Sequence, residues 1–288
     1  MNPSAVIAEA ARPRTFGAAI SGRRSEQQDA FRSVWLADEQ AWLLLVADGM
    51  GGHAGGAIAS RIAADAFVSA FTSQRAAGVS LDSAFQGALV AANREIAAIQ
   101  GRDPATQGMG TTLLAVHLDA RGVAWISVGD SPLWLCRGGL IRRLNEDHSL
   151  SRSDAAGTRI RSSLLQSVLN GDDIAMIDCQ ANPLRLDGGD LVLLASDGIL
   201  TLGQEEILQT VIEHEIANPE TVVREILEAV CAREKPNQDN CTIVAAAVPV
   251  RIDGERPEMR PRYRLLGTLV AVCLIVAVVA ELGWKWFG

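Results

Sequence analysis

The chain has no basic excess. Its 26 Lys and Arg residues stand against 34 Asp and Glu, a formal net charge of -8, so there is no cationic surplus to displace counterions from a phosphate backbone. A nucleic-acid partner is therefore not expected. The cysteines also lack a pairing pattern: Cys136, Cys179, Cys231, Cys241 and Cys273 are scattered, odd in number and free of C-x-x-C spacing. Neither a disulfide framework nor a zinc site follows from them, and a reducing compartment fits best. No Gly-Lys-Ser/Thr ending follows the glycine-rich stretch after Asp48, which excludes a nucleotide-binding P-loop. No G-x-S-x-G accompanies the adjacent Asp147, His148 and Ser149, which argues against a serine-hydrolase triad. Residues 1–14 are Ala-rich but interrupted by Glu9, Arg12 and Pro13, so they lack a signal-peptide core, and the folded part is expected in the cytosol.

What is present is a repeated pattern of apolar strands ending in carboxylates. The run Trp42 to Ala47 stops at Asp48, followed by Gly49, Met50, Gly51, Gly52, His53, Ala54, Gly55 and Gly56. Glycines there let the backbone turn tightly and approach a ligand closely. Residues 125–128 lead to Gly129, Asp130 and Ser131, residues 191–195 lead to Ser196, Asp197 and Gly198, and Asp239 precedes the strand beginning at Cys241. If these four ends converge, each pair of carboxylates about 4 Å apart repels by roughly 1 to 4 kcal/mol, depending on the local dielectric. Such a cluster needs raised pKa values or a cation. With oxygen ligands and no thiolate or imidazole set, Mg²⁺ or Mn²⁺ is favoured over Zn²⁺.

With 48% hydrophobic residues over 288 positions, the chain has enough apolar content for a full core. Strands are expected at 15–21, 31–36 and 41–47, then amphipathic helices at 56–73 and 80–100, the second with Ser80 as its cap. Strands return at 111–118, 123–128, 132–136 and 140–144 as a meander. The polar segment 145–173, helical-looking at 160–169, reads as an insertion over one face rather than as core. Strands near 174–179 and 191–195, helices at 204–216 and 219–232, and a strand at 241–248 complete the domain. Antiparallel strands interrupted by paired helices point to an α+β fold: a four-layer αββα sandwich, two antiparallel sheets flanked by helices.

The remainder is different in kind. Residues 249–264 form a linker rich in Arg and Pro, and 265–280 are uncharged and apolar, about 24 Å as a helix. Extended to Trp284 and Trp286 the run reaches roughly 30 Å, enough to span a bilayer core. Arg260, Arg262 and Arg264 on one flank and the tryptophans on the other resemble a positive-inside flank and an aromatic belt. The expected division is an N-terminal arm 1–14, a domain 15–248 with a flap at about 149–172, the linker 249–264, a transmembrane helix 265–284 and a tail 285–288. The buried C-terminal helix is the alternative.

Taken in order, RSEQQDA (24–30 with its leading Arg24), DGMGGHAGG (48–56), GMGTT (108–112), VGDS (128–131), Asp147-His148-Ser149, ASDG (195–198) and QDNCT (238–242) resemble the bacterial branch of the metal-dependent Ser/Thr protein phosphatases, protein phosphatase type 2C. The resemblance covers about residues 15–248. It implies that Asp48 bridges two Mn²⁺ or Mg²⁺ ions, that the Gly49 carbonyl binds one of them, and that Asp197 and Asp239 hold the other. Asp130 would help hold a weaker third ion, and Asp29 would act behind the ligands. A water activated by the paired ions would then attack phosphorus in line, with no phosphoenzyme. Arg24, five residues before Asp29, would grip the phosphate through its forked donors.

Two positions depart from the family pattern. Gln28 stands where Glu often precedes the first-motif Asp, and can be structural or a neutral hydrogen-bonding partner. Met50 stands where many eukaryotic members have the His proposed as general acid; His53 reads as a loop residue, which leaves a metal-held water to protonate the leaving group. The resemblance implies hydrolysis of phosphoserine and phosphothreonine on proteins that are substrates of a Ser/Thr kinase. Joined to the apolar run, it places the enzyme at the inner membrane with its catalytic domain facing the cytoplasm. A catalytically weak phosphoprotein-binding module on the same fold is the alternative, and an enzyme acting on small phosphorylated metabolites is a further one.

Overall fold

The computed structural model describes residues 12–51, 55–153, 159–214 and 218–250, and of residues 151–153 and 159–164 only the backbone. The chain divides into two units, Met1–Val250 and Arg251–Gly288. The second unit, and with it the expected membrane helix at 265–284, lies outside the described residues, as does His53. Among the described residues no helix is long and apolar enough to cross a membrane.

The elements run β1 (Arg14–Ile20), β2 (Asp29–Leu36), β3 (Ala41–Met50), α1 (Gly55–Ala76), α2 (Leu81–Gln100), β4 (Gly110–Thr111), β5 (Leu113–Asp119), β6 (Gly122–Val128), β7 (Leu133–Arg137), β8 (Leu140–Arg143), β9 (Ser149–Ser153), β10 (Arg159–Leu165), β11 (Asp178–Leu184), β12 (Leu191–Ala195), α3 (Gln204–Glu213), α4 (Pro219–Ala232) and β13 (Cys241–Ala247). One sheet has the order β1-β13-β12-β7-β8 and the other β11-β6-β5-β3-β2, with β4 paired to β3. All of these pairings are antiparallel.

Three apolar layers hold the sandwich together. Helices α1 and α2 pack Phe67, Phe71, Phe85 and Leu89 against Leu43, Leu45, Ala115 and Ile126 of the second sheet. Helices α3 and α4 pack Ile207, Val211, Val222 and Ile226 against Trp134, Leu193, Ile243 and Ala245 of the first. Between the sheets lie Leu44, Val46, Leu114, Val116, Val192, Leu194, Val244 and Ala246. The strict alternation along β3 places Leu43 and Leu45 on the helix side and Leu44 and Val46 between the sheets, as a period of two requires. The helix starts also follow the sequence: Ser80 Oγ accepts the Ser83 N–H at 3.2 Å, and Pro219 opens α4.

The segment 145–173 differs from expectation. Residues 160–169 form no helix; β10 pairs with β9 as an antiparallel hairpin, Arg159 opposite Ser153. The Ile160-Arg161 and Leu164-Leu165 pattern suits either period over so short a run, and strand pairing decides it. The segment is also not wholly an insertion, because Leu169 is fully buried in the helix-side core and bridges Thr111. The strand expected at 174–179 begins later, at Asp178, and carries an irregularity between Gln180 and Leu184. Helix α3 ends at Glu213, not at 216.

Candidate metal centre

The site grows out of the layer between the sheets. Two residues beyond Val46 on the same face of β3 is Asp48, two before Phe31 on β2 is Asp29, two beyond Leu194 on β12 is Ser196, and two before Val244 on β13 is Thr242. Apolar packing that runs down the middle of the sandwich thus gives way to carboxylates and hydroxyls at one end. Asp29 and Asp48 are direct partners in the β2–β3 ladder. Like charges in that relation are destabilising unless something offsets them.

Each carboxylate has a defined support. Asp29 Oδ2 accepts hydrogen bonds from Ser196 Oγ at 2.7 Å and Thr242 Oγ1 at 2.8 Å. Its Oδ1 is buried with no partner among the described residues. The Asp48 backbone is held on both sides: its N–H donates to Thr112 Oγ1 at 3.0 Å, and its carbonyl accepts from the Thr112 N–H and Thr111 Oγ1, both at 2.9 Å. Thr112 Oγ1 in turn meets Ser131 Oγ at 2.9 Å, linking the Asp48 strand end to the turn that carries Asp130. Asp197 opens a 3-10 turn spanning Asp197–Thr201. Asp239 Oδ1 accepts the Asn240 N–H at 2.9 Å, and Asn240 itself accepts the Gln28 N–H at 2.8 Å.

Arg24 does not stand apart from this group. Its Nη2 lies 2.7 Å from Asp239 Oδ2, both side chains being about half exposed. That hydrogen bond and the charge of Asp239 raise the guanidinium pKa, with Asp197 and Asp48 adding to the effect. Gln28 contributes through its backbone: its carbonyl accepts the Gly49 N–H at 3.1 Å and Ser60 Oγ at 2.6 Å. Gly49 permits this closeness, since a Cβ there would lie 2.1 Å from the Gly56 carbonyl oxygen and 2.5 Å from that of Gln28.

The electrostatics identify the group as one site. Burial raises the Asp48 pKa well above the usual carboxylate range, and Asp29, Asp197, Asp130 and Asp239 each raise it further. Burial likewise pushes Asp29 up to about 6, against the lowering effect of Ser196 and Thr242. Asp29, Asp130, Asp197 and Asp239 thus all lie near enough to Asp48 to oppose its ionisation. Among the described residues no three His, Cys, Asp or Glu side chains already converge as an ion cage. Mg²⁺ keeps several waters and is bound through only one or two direct carboxylates. The orphaned Asp29 Oδ1, the mutual repulsion and the close backbone at Gly49 all fit a hydrated hard cation here.

Sequence reasoning located the carboxylates but not their hydroxyl partners. Ser196, Thr242, Thr111, Thr112 and Ser131 all carry hydrogen bonds at the site. Their signal was present beside two of the four strand-end carboxylates, as Ser196 before Asp197 and Ser131 after Asp130, while Thr111, Thr112 and Thr242 stand apart from any Asp in sequence. His148, which the sequence showed only beside Asp147 and Ser149 without a hydrolase motif, is fully buried against Gly129, next to Asp130.

Comparison with known proteins gives a concordant result. The family model described as Protein phosphatase 2C matches residues 17–247. A serine/threonine phosphatase, stp, of Listeria monocytogenes is 29% identical over 183 residues, covering 59% of this chain and 71% of that protein. The serine/threonine protein phosphatase PstP of Mycobacterium tuberculosis is 30% identical over 218 residues, 72% of this chain but only 40% of the mycobacterial protein. The crystal structure of the M. tuberculosis PstP superposes with a TM-score of 0.67 at 26% identity, covering 82% of this chain and 99% of that one. The PstP catalytic domain in complex with two manganese ions superposes with a TM-score of 0.63, also at 26% identity, covering 82% and 98%.

Proposed function

The chain belongs to the protein phosphatase 2C family, and from that premise we propose that it hydrolyses phosphoserine and phosphothreonine on proteins at a paired Mn²⁺ or Mg²⁺ site. The observation that carries this reading is Asp48, whose ionisation is opposed by Asp29, Asp130, Asp197 and Asp239 together. A module that only bound phosphoproteins would have no use for five mutually repelling carboxylates.

In this reading Asp48 and the Gly49 carbonyl would hold one ion, Asp48, Asp197 and Asp239 would hold the other, and Asp130 would help hold a weaker third. Bound there, Mn²⁺ or Mg²⁺ would supply a water nucleophile at neutral pH and neutralise the charge of the transferring phosphoryl group. The protein residues do the positioning. Thr111 and Thr112 fix the Asp48 backbone, and Ser196 and Thr242 fix Asp29 behind it. Arg24 supplies forked donors to phosphate oxygens, for which it must leave Asp239. Phosphoproteins made by a Ser/Thr kinase are the proposed substrates. Tethering through residues 265–284, with the domain in the cytoplasm, belongs to the same proposal and rests on the apolar run and its Arg and Trp flanks.

The test is phosphate release from a phosphothreonine peptide by the full chain, with and without Mn²⁺, beside Asp197→Asn. Turnover that needs the metal and is abolished by the substitution supports the reading. Folded, metal-bound protein without turnover would replace it with the phosphoprotein-binding module.

A further inference from the structure

The turn after β6 has a backbone problem that one buried side chain solves. The ladder to β5 ends with Val128 opposite Leu113, and Gly129 turns away at φ +107°. A Cβ at Gly129 would lie 2.6 Å from Thr112 Cγ2, so the turn is closed on one side and available only to glycine. The Gly129 N–H no longer has a strand partner. Left unpaired when buried, such a group costs about 1 to 3 kcal/mol. It donates instead to His148 Nδ1 at 3.1 Å, and the His148 N–H donates back to the Gly129 carbonyl at 3.1 Å. Both backbone polar groups of Gly129, the residue preceding Asp130, are thereby used by one residue. The next carbonyl, that of Asp130 itself, accepts Arg143 Nη2 at 2.9 Å, while Arg143 Nη1 holds Asp147 Oδ2 at 2.6 Å.

The imidazole is used unevenly. An Nδ1 that accepts requires the proton on Nε2, and Nε2 is buried with no partner among the described residues. Nδ1 is thus the atom by which this ring acts.

We propose that His148 is the positioning residue for Asp130: its Nδ1 fixes the Gly129 N–H and so, through the Gly129 turn, aims the Asp130 carboxylate at its ion. This rests on the reading of Asp130 as a ligand of the weaker ion. Groups that orient a metal ligand from behind typically change metal affinity by 10- to 100-fold when removed.

Asparagine and leucine separate the acceptor from the packing, because their side chains have the same shape and only Asn carries an oxygen where His carries Nδ1. Mn²⁺ binding by the full chain, followed by calorimetry, should show His148→Leu weakening the weakest class of site about tenfold or more, with the tighter sites within twofold of wild type. His148→Asn should restore that class to within about threefold. Equal loss in both variants, or no loss in His148→Leu while Asp130→Asn abolishes the class, overturns the proposal. If Asp130→Asn leaves every class intact, the reading of Asp130 fails first and takes the proposal with it. Should His148→Leu not fold, ¹⁵N spectra of the wild-type ring decide the matter. A bare Nδ1 coupled to the Gly129 N–H supports the proposal, and a protonated Nδ1 overturns it.

Discussion

Asp29 and Asp48 sit directly opposite each other in the β2–β3 ladder, with the free oxygen of Asp29 buried and unpartnered among the described residues. The burial and the neighbouring charges that raise both pKa values are present only in the folded chain. A carboxylate whose pKa is raised by folding weakens the folded state as it ionises, so stability falls as pH rises from the unfolded value near 4 through the folded value. For Asp29 that window runs from 3.8 to about 6, a shift corresponding to up to about 3 kcal/mol. In EDTA the protein should therefore melt at a lower temperature at pH 7 than at pH 5. Asp29→Asn should remove part of that fall, and saturating Mn²⁺ should remove most of it. An apo Tm that is flat or rises over this interval in wild type would show that the carboxylates do not press on one another.

Arg24 and Asp239 make a different kind of contact. Their ion pair is half exposed, and such pairs contribute about 0 to 1 kcal/mol. An arriving divalent ion can displace the guanidinium at small cost. Arg24→Gln should therefore leave Tm within about two degrees of wild type and should not weaken Mn²⁺ binding. It should raise KM for a phosphopeptide by tenfold or more. A variant that instead loses Mn²⁺ affinity would mean that Arg24 supports the ion site and not the phosphate.

The position of the carboxylates could be read from sequence because Asp48, Asp130 and Asp197 each lie at the end of an apolar strand and Asp239 just before one, and the alternation of buried faces carries over from Leu44 and Val46 to Asp48. The support for those carboxylates could not be read so directly. Ser196 and Thr242 reach Asp29 across 167 and 213 positions, pairings that depend on how the two sheets are stacked. The β9–β10 hairpin was hidden for another reason: its Leu and Ile spacing suits a helix equally, and only the partner strand breaks the tie. Asp239 and Arg24 were each legible, but their mutual contact was not.

Gly49 offers a steric test of how closely the site is built. Its missing Cβ would meet two backbone oxygens, at 2.1 and 2.5 Å, and neither can move aside as a flexible side chain would. Gly49→Ala should lower stability by more than about 2 kcal/mol, within the range for overpacking, and abolish Mn²⁺ binding. Gly78 has positive φ but nothing within 4 Å of its would-be Cβ, so Gly78→Ala should cost only about 1 to 2 kcal/mol and leave the metal untouched. Comparable losses in the two variants, by chemical denaturation and calorimetry, would show that the backbone around Gly49 yields to a methyl group.

The cluster at Glu39 gives the opposite pH slope far from the site. Burial alone would raise the Glu39 pKa, but Arg75 donates to it from Nε and Nη2 and, with His117, brings it below the usual value. A lowered folded pKa means stability that is present above the unfolded value and lost as pH falls through the folded one. Glu39→Gln should thus destabilise the protein at pH 7 by about 1 to 3 kcal/mol, since Arg75 would lose a charged partner while both side chains are only 20% exposed. The penalty should shrink as pH falls through the lowered Glu39 pKa, where wild-type Glu39 is itself protonated. Asp29→Asn in EDTA should move the other way, stabilising at pH 7 and not at pH 4. Two variants with opposite slopes in one titration separate a carboxylate that holds the fold from one held in place for an ion. Parallel slopes would place Asp29 with the structural group.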